Sequence, residues 1–255
     1  MHMNRTVTQY RFGNTVFRIE TPVPMMQDPR FEAFAADPSE RADFSLIVEA
    51  LPPQSALDQD WPALLERDGN EITVYMNTKL LPSITVANLM IISHADHLLT
   101  ERESFILHAS YVLHEGQAIL FCAPCGTGKS TQAHFWQSER GSTVVNEDRV
   151  LIFRRNGIYY AGGIWATGSA GVTQNSTAPI RAIILLGQGP ENCVTELRPS
   201  QKIIRLLPQC SYDHRDPNAY DRMMAQVMQM VEGLKILSYD CINHPSSVDD
   251  LEAYL

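Results

Sequence analysis

The chain has no apolar run long enough to cross a bilayer. Its longest apolar stretches, Ile183–Leu186 and Leu81–Ile92, are short or interrupted, well below the ~20 residues a membrane helix needs. Basic residues are in short supply: 20 Lys+Arg stand against 29 Asp+Glu, for a formal net charge of −9. The deficit is concentrated in residues 1–100, with 7 Lys+Arg against 13 Asp+Glu. Phosphate backbones and anionic membrane surfaces need clustered Lys and Arg, so neither nucleic acid nor a membrane is expected as the main partner. A small phosphate ligand is not excluded, because backbone N–H groups hold one without a basic patch. Cysteine is sparse as well. Five cysteines, an odd number scattered along the chain, do not read as a disulfide framework. No N-terminal stretch pairs a basic head with an apolar core and a small-residue cleavage site, so the expected compartment is the cytoplasm.

What is present is an ordinary globular composition, 44% hydrophobic and 19% charged over 255 residues, enough for one large domain or two unequal ones. Val7–Phe12 and Thr15–Glu20 alternate as a strand pair around Gly13-Asn14. Asp43–Glu49 and Glu71–Met76 look like two more strands, separated by the Pro-rich stretch Pro52–Pro62, and Leu81–Leu99 reads as one helix leading out of this module. Residues 1–100 are therefore expected to form a smaller α+β domain, and 101–255 a larger α/β domain. In the second, Phe105–Leu113, Gln117–Cys122, Thr143–Phe153, Ile158–Tyr160, Ile180–Leu186 and Lys235–Cys241 are β-prone. Lys129–Arg140, Ser200–Leu207, Ala219–Glu232 and Ser247–Tyr254 have helical composition. Met224, Val227, Met228 and Val231 mark the expected buried face of the third, and Ser246 is the expected cap of the fourth.

The most informative segment runs from Gln117 to Thr131. An apolar strand enters the small-residue loop Ala123-Pro124-Cys125-Gly126-Thr127-Gly128, which opens a helix at Lys129-Ser130-Thr131. Successive backbone N–H groups in such a loop form an anion cradle, and the helix N-terminus adds about half a positive charge. Lys129 reaches outer phosphates as a point charge, and Ser130 offers a hydroxyl to Mg²⁺. The usual Walker A pattern is G-x-x-x-x-G-K-[ST]. Here its first glycine is Ala123, which is tolerated if that residue's φ is negative.

A second element is Asn146-Glu147-Asp148-Arg149, with Asp148 nineteen residues beyond Lys129. A helix of about eleven residues rises ~16 Å, and a β-run then returns the chain to the loop. Two adjacent carboxylates there have distinct uses, one to hold Mg²⁺ and one to orient or deprotonate an attacking hydroxyl. The plainer alternative is a solvated acidic turn. Arg149 either pairs with a phosphate or satisfies Asp148.

These segments resemble the HPr kinase/phosphorylase-like group, relatives of the phosphoenolpyruvate carboxykinase fold. The resemblance runs from about Phe105 to Gln188. It takes in Leu107-His108-Ala109-Ser110, the loop Ala123–Thr131, Glu147-Asp148-Arg149-Val150, Gly162-Gly163-Ile164-Trp165 and Ala178-Pro179-Ile180-Arg181. It implies a mixed-sheet α/β P-loop domain and phosphoryl transfer from ATP, with Mg²⁺, to a hydroxyl. The acceptor would be a serine of a protein or peptide, free serine or another small hydroxyl compound. Lys129 and Ser130 match the phosphate and metal residues, Asp148 the second acidic position, and His108 a histidine near the transferring phosphate. Glu147 stands where these kinases carry the aspartate that serves as base, and is longer by a methylene. Relatives also often assemble into homo-oligomers.

Other constellations are weaker. Cys122-Ala123-Pro124-Cys125 has the look of a thiol redox motif, but Gly126–Ser130 already assigns the turn to phosphate. His94 and His97 have metal-ligand spacing without a third close ligand. Thr167, Ser169 and Asn175 lie in a Gly-rich stretch that reads either as a mobile loop over the acceptor or as plain surface. The leading expectation is an ATP- and Mg-dependent kinase in which Lys129 and residues 123–131 hold the nucleotide. Ser130 and Asp148 take the metal, and Glu147 with His108 serves the acceptor. The alternatives are a nucleotide-sensing binding module and an ATPase without a phosphoryl acceptor.

Overall fold

The computed structural model describes residues 5–51, 63–168, 171–212, 216 and 218–255. The Pro-rich stretch Pro52–Pro62, and Ser169, lie outside them. The chain divides into two compact units, residues 1–95 and 96–255.

The first unit is a five-stranded mixed sheet in the order β1-β2-β3-β5-β4. Its strands are β1 (Thr6–Phe12), β2 (Thr15–Thr21), β3 (Phe44–Leu51), β4 (Ala63–Asp68) and β5 (Glu71–Asn77). Strand β4 was not expected from the sequence; it pairs antiparallel with β5 through a turn at Gly69-Asn70. Alternation buries one side of β3 and β5, with Phe44, Leu46, Val48, Ile72, Val74 and Met76 inward. The single helix expected over 81–99 is instead three pieces: a 3₁₀ turn at Leu81–Ser83, α1 (Val86–Ile92) and α2 (Ala95–Leu99). Thr85 caps α1 by accepting from the Asn88 amide, and His94, with φ +52°, ends the helical path before α2.

The second unit is an eight-stranded mixed sheet covered on both faces. Its strands are β6 (Ser104–His114), β7 (Gln117–Cys122), β8 (Thr143–Asn146), β9 (Arg149–Arg155), β10 (Ile158–Gly162), β11 (Thr177–Gln188), β12 (Cys193–Glu196) and β13 (Ile236–Cys241). They lie in the order β10-β9-β6-β7-β11-β13-β12, with β8 on β6 and β10 also pairing β11. The three central strands β7, β11 and β13 are parallel. Parallel strands covered on both faces read as unbroken apolar runs, which is why β7 and the Ala182–Leu186 half of β11 show no polar alternation. The period-2 geometry nevertheless sorts their side chains. Leu120, Cys122, Ile183 and Leu185 join one core with Met223, Val227, Met230 and Val231 of α5 (Ala219–Gly233) and Leu206 of α4 (Pro199–Leu206). Ile119, Phe121, Ile184 and Leu186 join the other with Ala133 and Trp136 of α3 (Lys129–Arg140) and Val248 and Leu251 of α6 (Ser247–Glu252). Of the apolar stripe expected on α5, Val227 and Val231 are buried, but Met228 is exposed and Met224 half-buried, and Met223 and Met230 take their places. Ser246 precedes α6 as expected, but its hydroxyl lies against His244 Nδ1 at 3.0 Å and makes no cap.

The strand expected over 143–153 is broken at Glu147-Asp148. The antiparallel pairing with β6 nevertheless keeps one register across the break, with Tyr111 opposite Asn146 and His108 opposite Arg149. Among the described residues, no helix is long and apolar enough to cross a membrane.

Candidate active site

The site gathers at the carboxyl end of β7, where open α/β sheets place their ligands. The chain leaves β7 at Cys122 and re-forms as α3 at Lys129. The N-cap of α3 is Gly128, at φ +108° and ψ 16°, and it supplies no side-chain cap. The first turn of α3 also contains no acidic residue. The helix start thus carries its partial positive charge with no side-chain anion of its own at the cap. Ala123 is not in the left-handed region and its methyl is buried on the α3 side of the sheet. Alanine therefore fits where the usual pattern has glycine.

Lys129 is buried, and its Nζ donates to the carbonyls of Ala123 at 2.9 Å and Pro124 at 3.2 Å. Burial pulls its ammonium below the usual lysine range, and the nearby Asp148 carboxylate opposes that shift. Thr127 closes the loop by donating its hydroxyl to Pro124 O at 2.9 Å, and Gln188 Nε2 donates to Thr127 O. Pro124, Cys125 and Gly126 are exposed along the loop.

The acidic turn is built from the backbone outward. The buried Asn146 Oδ1 accepts from the amides of Asp148 at 3.0 Å and Arg149 at 3.1 Å, and its Nδ2 donates to Ala166 O. Ser110 Oγ donates to Glu147 O at 2.8 Å, and the Ala109 amide donates to Asp148 O at 3.1 Å. These bonds fix both carboxylates in a cleft of about 310 Å³ lined also by Lys129, Ser130, Thr131 and Gly168. Asp148 is shared: Oδ1 lies 3.1 Å from His108 Nε2, and Oδ2 3.2 Å from Arg149 Nε. Arg149 thus makes one of its two expected contacts, the pairing with Asp148. Burial, and then the charges of Lys129 and Arg149, hold the His108 pKa below its usual value, so the ring is neutral at pH 7. Glu147 is buried, and its Oε1 lies 3.2 Å from His134 Nε2.

Lys129, Ser130, Thr131, Cys125, Gly126, Glu147 and Asp148 thus share one cleft, and His108 and Arg149 brace Asp148 from behind. A second hollow of about 470 Å³ lies against the other side of the same loop, between Gly126–Gly128 and Leu186, Gln188, Cys241 and Ile242. Sequence reasoning placed Asn146 in the acidic segment but gave it no role; its signal is an Asx residue just before the acidic pair. It also missed Gly168, where a Cβ would stand 3.0 Å from Asp148 Cβ, and His134 on α3. The redox reading of Cys122 meets a physical obstacle. That thiol is fully buried and its pKa is pushed up to about 12, so it is no thiolate near neutrality. His97 has the carboxylate of Asp96 at 3.5 Å. The Gly-rich stretch is not free surface in its second half. Thr173 bridges Asn146 and donates to Ile164 O, and Gln174 bonds Val144 O and Val145 O.

No family model matches the chain, and no match was found among the curated proteins. Among solved structures, the HPr(Ser) kinase/phosphatase from Coxiella burnetii aligns at 12% identity, over 58% of this chain and 88% of that one, with a TM-score of 0.31. At that score the likeness carries no argument, and the case for a function rests on the cleft.

Proposed function

We propose that this chain is an ATP- and magnesium-dependent kinase that transfers the γ-phosphoryl group to a hydroxyl of a small molecule, peptide or protein. On this reading the second unit is a P-loop domain of the HPr kinase and phosphoenolpyruvate carboxykinase type. The observation that carries it is the glycine-capped start of α3, which opens Lys129 and Ser130 onto the cleft holding Glu147 and Asp148.

The residues fit the group they are asked to hold. A helix start without a side-chain cap suits an anion, and Ser130 with Asp148 offers the hard oxygen ligands that Mg²⁺ prefers. The loop lines both hollows, so a polyphosphate crossing it would reach the carboxylates on one side and leave its nucleoside against Leu186 and Ile242 on the other. Bound Mg-ATP supplies the phosphoryl group and neutralises part of its charge. Lys129 exchanges its loop carbonyls for phosphate oxygens. Glu147, held largely out of water, orients the acceptor hydroxyl and takes its proton. Neutral His108 keeps Asp148 in place as the metal residue. Little covalent chemistry falls to the protein, so positioning and charge account for most of the acceleration.

The test is γ-labelled ATP with Mg²⁺ and cell extract, followed by asking where the label goes. Transfer to a protein or small molecule, lost in Lys129→Ala, is expected. Label that stays on tightly bound ATP would make the chain a nucleotide sensor, and label released only as phosphate would make it an ATPase.

A further inference from the structure

His134 stands one helical turn beyond Ser130 on α3, so the two share a face. That face meets the acidic turn, where His134 Nε2 lies 3.2 Å from Glu147 Oε1. The two partners differ sharply in setting, the Glu147 side chain being 10% exposed and the His134 side chain 54%. A carboxylate kept from water needs a partner, and the imidazole stands at ion-pair distance from it on the solvent side. The other ring nitrogen lies 3.4 Å from Gln137 Oε1, also an acceptor, so the neutral ring with its one N–H serves one of the two oxygens at a time. The acidic pair is therefore braced from two sides, Asp148 by His108 and Glu147 by His134.

We propose that His134 is a positioning residue: it holds Oε1 of Glu147 and thereby aims the remaining carboxylate oxygen at the acceptor hydroxyl. The inference rests on the kinase reading above. It gives a reason why glutamate serves at this position: the carboxylate needs the reach to meet a donor on α3. His134 touches neither nucleotide nor acceptor in this scheme, so its loss affects turnover and spares nucleotide affinity.

Two measurements on the full chain decide it. The first needs no turnover. The ¹H–¹⁵N imidazole signals of His134, assigned with His134→Gln, should shift in Glu147→Gln while those of His114, held by Ser142 Oγ, stay put. The second compares wild type, His134→Ala and His134→Gln for Mg-ATP affinity and for label transfer from γ-labelled ATP in the presence of cell extract. His134→Ala should lower kcat about 10- to 100-fold with the Mg-ATP dissociation constant within about twofold. His134→Gln, which keeps an N–H donor, should recover most of the loss. Unmoved His134 signals in Glu147→Gln, or a His134→Ala enzyme as fast as wild type, would overturn the role of His134 and leave the kinase reading intact. A wild type that binds Mg-ATP and transfers no label in the presence of cell extract overturns both.

Discussion

Replacing Gly128 with alanine separates backbone conformation from side-chain chemistry at the mouth of the cleft. Gly128 sits at φ +108°, beyond the left-handed minimum that L-residues occasionally visit. A Cβ there would meet only Leu186 Cδ2, at 4.0 Å, which is ordinary contact. The cost is therefore conformational and not steric, about 1–3 kcal/mol for a residue held in so sparse a region. In a domain of this size each kcal/mol moves the melting temperature about 2–4 °C, so G128A should melt roughly 2–12 °C below wild type. The alternative open to the variant is to rotate out of the left-handed region, which would realign the start of α3 and abolish nucleotide binding. Gly141 is the control. It ends α3 at φ +63° with nothing within 4 Å of an added Cβ, so G141A should lose about 1 kcal/mol and keep full affinity. Calorimetric melting with and without Mg-ATP gives both quantities in one experiment. A G128A protein with unchanged melting and unchanged affinity would refute the idea that the loop's geometry depends on glycine.

Exchanging Lys129 for alanine should remove detectable Mg-ATP binding by titration calorimetry, since its ammonium is the nearest positive charge to the loop. Glu147→Gln should bind Mg-ATP within about twofold of wild type and lose at least 10²-fold in turnover, read by label transfer; full activity would remove Glu147 as base. Trp136 is fully buried against Phe121 and His114, so W136A should cost about 3–5 kcal/mol in denaturant unfolding. Arg140 bonds Glu252 at 2.9 Å and pairs with Asp249, linking α3 to α6. Its guanidinium holds the Glu252 carboxyl below its ordinary 4.5. The stabilisation is thus present while that carboxyl is ionised and is lost as pH falls through the lowered value. Melting curves of wild type and R140A should differ at pH 7 and converge in acid.

The second unit was legible where a local rule decided the outcome. Gln117–Cys122 announced a buried strand, and Gly141 the end of α3. The Gly13-Asn14 hairpin in the first unit was equally plain. What was missed depended on partners distant in sequence. Strand β4 mixes charged and apolar residues and is a strand because β5 lies beside it. The face of α5 was misread because methionines occur all along it, and only packing chooses Met223 over Met228. In the cleft, the loop and the two carboxylates follow from residue type and spacing. His134 and Asn146 do not, because a lone histidine on a helix and a lone Asn before a turn are common without any such role.

Strands β8 and β9 both pair with β6, and the register is the same on either side of the gap that the two carboxylates occupy, although β8 itself is bulged between Val144 and Asn146. The chemistry of that gap is free to change, but its length is not. One residue more or fewer would rotate β9 by half a pleat, turning Val150 and Ile152 out of their core and driving Leu151 and Phe153 into it. Substitutions at 147 and 148 should therefore yield folded proteins with altered activity, whereas an insertion or deletion there should destabilise the second unit, whose β8 already carries one bulge.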